Sequence, residues 1–215
     1  MIRSPENYEA ILEQLRKDVL ENQHKRAEHI FATEEECAAL GYMVGFDEDE
    51  MFDLRVSALL HDITHSLRLF NEHLEICQKG GIIPDEEYIK SHPTIHSLSG
   101  SIYAREKYPD IVTDKIASAI ASHTVGRKDM PLNEKILCLA DYTERTRRHQ
   151  PCQELRRFLW NSITPENAED IIDEALLRYF INNENWLKQA GARLNKHMLE
   201  SREDLELKMK MKKQL

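Results

Sequence analysis

Residues 47–62 read DEDEMFDLRVSALLHD. Asp47 with Glu50 three residues on makes the pattern of a capping box, and Phe52, Val56, Leu59 and Leu60 follow at helical spacing. The stretch predicts a mostly buried helix, third in the chain, carrying an adjacent His61-Asp62 pair near its end. Neighbouring helix residues project about 100° apart, so such a pair can approach one cation from two directions if that flank faces a cavity.

Outward from this helix the pattern stays helical. Ser4 before Pro5 reads as an N-cap, and Tyr8, Ile11, Leu12, Leu15 and Val19 predict a first helix to about Asn22. A second, Arg26 to Met43, ends at the glycines 41 and 45. Residues 79–93 (KGGIIPDEEYIKSHP) predict a loop holding at most a short helix. Helix resumes over Thr94 to Lys107, stops at Pro109, and resumes over Thr113 to Ser122. After the turn-rich HTVGRKDM at 123–130, Pro131 opens a helix running through Asp141 toward Arg148. Thr164 and Pro165 start another over 168–180, and from Asn182 a charged helix leads to KMKMKK, a frayed and solvated tail over 208–213. No segment alternates like a strand and none repeats. The class is all-α, with a core over 1–182 and a charged helical extension or tail over 183–215.

Composition narrows the function. The chain has 215 residues, 29 Lys+Arg against 38 Asp+Glu, a net charge of -9, and 41% apolar residues, which suits one compact domain. An acidic balance disfavours a general nucleic-acid binder. No run approaches the ~18 apolar residues of a membrane span, and MIRSPENYEA lacks a signal-peptide core, so the chain reads as a soluble cytoplasmic protein. Cys37, Cys77, Cys138 and Cys152 show no C-x-x-C spacing and read as buried or idle thiols. Histidine stands out: there are 10, six of them between His61 and His123.

The ligand-type residues are His29, the pair His61 and Asp62, and Asp141. His61-Asp62 follows the apolar VSALL and Asp141 follows ILCLA, so these polar groups close buried segments. A buried unpaired carboxylate costs several kcal/mol, roughly, which a cation offsets. Mixed imidazole and carboxylate donors suit iron, manganese, nickel or zinc rather than calcium.

His29, His61-Asp62, His96, His123 and Asp141 follow the order H…HD…H…H…D, which resembles the helical HD-domain metal-dependent phosphohydrolases. More narrowly, K-R-A-E-H at 25–29, L-L-H-D-I-T at 59–64, H-S-L-S-G at 96–100, S-H-T-V-G-R at 122–127 and E-K-I-L-C-L-A-D-Y-T-E at 134–144 are similar to the YqeK family. The likeness covers roughly residues 8 to 160. It implies an HD-domain helical bundle and a symmetrical bis(5′-nucleosyl)-tetraphosphatase that splits diadenosine tetraphosphate into two ADP. It further implies an iron ion on His29, His61, Asp62 and Asp141, and nucleotide contacts from Arg26, His96, His123, Thr124 and Arg147. Arg127, closing its motif, and His65 join that substrate-binding set. A basic cluster of Arg145, Arg147, Arg148 and His149 is expected beside the metal. A homodimer stays open.

The implied mechanism has a metal-activated water attack phosphorus, with Asp62 ligating the metal and orienting the water. Arg26 and Arg147 meet the growing charge, and His96 or His123 protonates the departing phosphate. The chain departs from the family pattern in three places. His65 stands where members carry Lys, D-Y-T-E-R-T-R at 141–147 lacks the usual Pro, and the Pro-containing and Tyr-Asn segments are missing after Asn182. These leave room for another nucleotide substrate, mono-, tri- or cyclic, or for a nucleotide sensor on the same fold. His24, His73, His149 and His197 read as solvated surface residues, and His92 as a loop histidine.

Overall fold

The computed structural model describes residues 2–212 and 214. Among them the chain forms eleven α-helices and no strand: α1 Tyr8–Asn22, α2 Ala27–Met43, α3 Glu48–Leu60, α4 Phe70–Lys79, α5 Glu86–Lys90, α6 Ile95–Lys107, α7 Asp114–Ser122, α8 Leu132–Thr143, α9 Gln150–Ser162, α10 Ala168–Gln189 and α11 Lys196–Lys212. The all-α reading holds.

Local chemistry explains most of the boundaries. Asp47 accepts from the Glu50 amide at 2.9 Å while Glu50 accepts from the Asp47 amide at 3.1 Å, so the capping box forms reciprocally. The Thr113 hydroxyl accepts from the Ile116 amide at 3.3 Å and starts α7. Ser4 does not cap as expected; its hydroxyl faces Glu6, and Pro5–Asn7 forms a 3₁₀ turn ahead of α1. The helix opened by Pro131 ends at Thr143 rather than near Arg148, and a separate α9 follows. Helix α4 fills a stretch with no sequence assignment.

α3 is the spine. It sends Phe52, Val56, Leu59 and Leu60 into one apolar cluster with α1, α6 and α7, and Leu54 and Ala58 into a second with α2 and α8–α11. Its end therefore lies where the two halves meet. Each buried large aliphatic here stabilises the fold by about 2 kcal/mol.

The C-terminal part is packed. α10 continues through residue 182 to Gln189, past the expected stop at 180. From α11, Met198 and Leu205 join the second cluster. The Ser201 hydroxyl donates to the Val125 carbonyl at 3.0 Å, Lys208 pairs with Asp204 at 2.8 Å, and Lys212 reaches Asp170 at 3.1 Å. Residues 208–212 are thus helical rather than frayed, with Lys208 and Lys212 ion-paired; Lys213 lies outside the described residues. Gly126 permits this packing: its φ is +68°, and a Cβ would come within 2.9 Å of both Phe180 and Ser201. The four cysteines are buried and free.

Candidate metal centre

Six residues meet at the end of α3. α2 carries His29 in its first turn, α6 carries His96 in its first turn, His123 caps the end of α7, and α8 carries Asp141. His61 and Asp62 lie just past α3 rather than within it. His61 keeps helical dihedrals (φ -55°, ψ -36°), but the next bonds, Ile63 to Leu60 at 3.0 Å and His65 to Asp62 at 2.8 Å, span three residues. The turn tightens like a 3₁₀ helix, and the pair still projects from adjacent directions.

The donor atoms converge closely. Nε2 of His29 lies 3.1 Å from Oδ1 of Asp141 and 3.5 Å from Oδ2 of Asp62. Nε2 of His61 lies 3.3 Å from Nε2 of His29, 3.3 Å from Oδ2 of Asp62 and 3.7 Å from Oδ1 of Asp141. His61, Asp62 and His123 also bring one ligand atom each within 4.8 Å of one another. His61 and Asp62 are 0% and 2% exposed, so bulk solvent does not reach their polar groups in the metal-free protein.

The far side of each ring fixes which nitrogen faces the cluster. Nδ1 donates to a carbonyl three residues back in His61 (Ala58, 2.7 Å), His96 (Pro93, 2.6 Å) and His123 (Ile120, 2.7 Å). His29 differs: its Nδ1 faces Oε1 of Glu144 at 3.1 Å. Glu144 is fully buried, and its carboxylate also accepts from the Thr146 hydroxyl at 2.6 Å. Arg156 of α9 donates to the carbonyls of Thr143 and Glu144 and holds this turn in place. Carboxylates behind a ligating imidazole orient the ring and raise its basicity. The sequence assigns no role to Glu144, although it closes the motif at 134–144, or to Arg156. The signal available for Glu144 was an acid at i+3 from Asp141, on the same helical face.

Electrostatics favour a cation here. Burial alone would lower the His29 pKa, but hydrogen bonds with Asp141, Asp62 and Glu144 carry it up to about 10. Burial opposes protonation of His61 as well, yet Asp62 and Asp141 bring it to about 9. Desolvation would raise the Asp62 carboxyl, but His61, His29 and Arg26 hold it well below the carboxylate range; Arg147, His29 and His61 do the same for Asp141. Two anionic carboxylates and two inward Nε2 atoms in a buried space fit a first-row divalent ion, which would take the place of the two imidazole protons.

His96 and His123 form the adjoining pair. Their Nε2 atoms stand 3.2 Å apart, and Nε2 of His96 is 3.5 Å from Oδ1 of Asp62. Burial lowers both, His123 to about 3, so at neutral pH two lone pairs face each other and invite a proton or a cation between them. Desolvation brings His65, whose ring centroid is 4.9 Å from that of His96, to about 4.

The arginines divide. Arg26 Nε donates to Asp62 Oδ2 at 2.7 Å, and Arg147 Nε donates to the Asp141 carbonyl at 2.7 Å; both guanidinium groups also pair with those carboxylates. Arg127 turns away, donating to Oε1 of the buried Glu134 at 2.8 Å and to the Lys128 carbonyl at 3.0 Å. The expected contact with substrate would require it to leave this buried carboxylate. Thr124 lies next to His123 and donates to Ser97 Oγ at 3.2 Å. Of the expected basic cluster only Arg147 reaches the centre: Arg145 pairs with Glu35 at 3.0 Å, and Arg148 and His149 are exposed.

His73 is a correction. It is buried, with Nδ1 2.7 Å from Ser99 Oγ; Ser99 meets Thr64 Oγ1 at 3.0 Å, and Thr64 donates to the His96 carbonyl at 2.9 Å. This chain ties the His61-Asp62 turn to the first turn of α6. His197 contacts Asp85 at 2.7 Å, His24 is exposed, and His92 lies in a 3₁₀ turn.

Residues 26–146 match the HD domain family. The symmetrical bis(5′-nucleosyl)-tetraphosphatase of Halalkalibacterium halodurans (strain C-125) is 28% identical over 131 residues, covering 61% of this chain and 67% of the relative. A solved structure from Clostridium acetobutylicum, described as a predicted HD superfamily hydrolase involved in NAD metabolism, is 27% identical with a TM-score of 0.78. It covers 91% of this chain and 97% of its own. Among the described residues, no helix is long and apolar enough to cross a membrane.

Proposed function

The chain belongs to the HD domain family of hydrolases, and from that premise we propose that it hydrolyses dinucleoside polyphosphates, splitting diadenosine tetraphosphate into two ADP. One observation carries the reading. Nε2 of His29 and Nε2 of His61 stand 3.3 Å apart and each lies 3.1 to 3.7 Å from a carboxylate oxygen of both Asp62 and Asp141, with Arg26 and Arg147 held on the two carboxylates. The likeness to a symmetrical tetraphosphatase supports the substrate class.

His29, His61, Asp62 and Asp141 hold the cation, for which iron is the first choice and manganese, nickel or zinc the alternatives. When bound, such an ion polarises a phosphoryl oxygen and lowers the pKa of water. Water adds to one of the two inner phosphorus atoms, the bond from that phosphorus to the bridging oxygen breaks, and the oxygen leaves on the second ADP with a proton. Asp62 orients the water. Arg26 and Arg147 exchange a share of their carboxylate contacts for phosphate oxygens and meet the developing charge. A bound polyphosphate raises the proton affinity of His96 and His123; a proton shared across their 3.2 Å gap then passes to the departing oxygen. Thr124 assists from beside His123. Arg127 contributes only by leaving Glu134.

The test is a nucleotide panel with each metal, read by chromatography of products. ADP alone from diadenosine tetraphosphate supports the reading; AMP plus ATP rejects it. The C. acetobutylicum neighbour, described as involved in NAD metabolism, favours one second reading, an HD hydrolase of another nucleotide, so NAD and mono-, tri- and cyclic nucleotides belong on the same panel.

A further inference from the structure

A cavity of about 390 Å³ opens on the His96 side of the metal centre, and its wall includes His65, Arg68, Phe70, His92 and His96. It adjoins the centre directly, since His96 Nε2 is 3.5 Å from Asp62 and 3.2 Å from His123. No Asp or Glu lines it, although the protein carries 38 acidic residues. Its fixed cation is Arg68, an exposed side chain with no ion pair or hydrogen bond to any described residue. Arg26 and Arg147, by contrast, are already bound to ligand carboxylates. At the rim the Phe70 and His92 rings stack, with centroids 4.1 Å apart and an interplanar angle of 14°. An uncommitted guanidinium beside a flat aromatic pair is a binding surface for a phosphate joined to a planar base.

We propose that this cavity is a second nucleotide subsite, which holds the departing half of a two-armed substrate with Arg68 on its phosphates and the Phe70-His92 pair under its base. The inference rests on the dinucleoside polyphosphate reading above. It adds to that reading a reason for two-armed substrates: one nucleotide sits at the Arg26 and Arg147 end of the centre, and the other beyond His96.

Two measurements on the metal-loaded full chain test it. Calorimetric titration with ADP should give two molecules per chain, falling to one in Arg68→Ala with an unchanged melting temperature. For diadenosine tetraphosphate, Arg68→Ala should raise KM by about 10 to 100-fold, the loss of one charge-assisted contact, with a smaller change in kcat and partial recovery in Arg68→Lys. His92→Ala should weaken the second ADP while leaving pyrophosphate affinity unchanged. One ADP per wild-type chain, or an unchanged KM in Arg68→Ala, overturns the subsite. If wild-type protein binds two ADP, one through Arg68, but leaves diadenosine tetraphosphate intact, the subsite stands and the substrate reading falls.

Discussion

Nδ1 of His29 faces Oε1 of Glu144 at 3.1 Å, across 115 residues of sequence, and Glu144 has no exposed surface. This contact sets which nitrogen of His29 points at Asp62 and Asp141, and it makes that nitrogen a stronger donor. Glu144→Gln should weaken metal affinity by about 10 to 100-fold while preserving the fold. Excess metal should restore much of the activity. Competition against a chelator checks the affinity, and an unchanged value would remove Glu144 from the centre.

Removing a ligand should be more severe. Asp62→Ala should lose both metal and turnover, because Asp62 touches His29, His61 and Arg26 at once. His123→Ala should lose turnover and keep the metal. Elemental analysis beside the activity assay separates the two, and loss of metal in His123→Ala would make His123 a ligand, as its proximity to His61 and Asp62 allows.

Metal binding should depend on pH. With His29 at about 10 and His61 at about 9, both rings of the metal-free protein carry a proton toward the cluster at pH 7. A cation must displace both, so binding should release close to two protons at pH 7 and tighten as pH rises toward 9. Calorimetry in buffers of different ionisation enthalpy counts them; a count near zero means that His29 and His61 are neutral in the metal-free protein at pH 7.

Stability of the metal-free protein should peak near pH 6.5. His123 protonates near 3 when folded and, in the unfolded chain, near the ordinary 6.5, so its contribution is present above 6.5 and lost as pH falls through that window. The slope is about 1.4 kcal/mol per pH unit for one such group. His29 and His61 act oppositely: their contribution is full below 6.5 and is lost as pH rises through about 9 and 10. Denaturant midpoints from pH 4 to 10 should trace this peak, and a saturating metal should remove the alkaline fall.

Gly126→Ala should destabilise the fold by about 2 kcal/mol or more, since it combines a positive φ with contacts at 2.9 Å to Phe180 and Ser201. The loss should appear as a lower melting temperature with metal stoichiometry retained. Full stability would mean that α11 does not seat against the α7–α8 turn.

Short-range signals made the helices legible. The Asp47 box and the apolar spacing within α3 act over a few residues, and they appear in the structure as read. The candidate ligands His61, Asp62 and Asp141 stood out as polar groups closing apolar runs, which need a partner once buried, whereas His29 was singled out only by its place in the ordered H…HD…H…H…D set. Other roles depended on packing. His73 looks solvated among polar neighbours and is buried by the fit of α4 against α6; Arg127 looks available and is captured by Glu134, seven residues away, at the start of α8.

By itself the sequence determined the class of fold, the starts of several helices and a set of candidate metal ligands, since these follow from periodicity, caps, the cost of burying charge and the order of the motifs. Only the tertiary structure decided that Glu144 stands behind His29, that Arg26 and Arg147 are committed while Arg68 is not, and that a histidine-lined cavity lies beyond His96. Those relations depend on the angles at which helices far apart in sequence pack, and no local pattern encodes such angles.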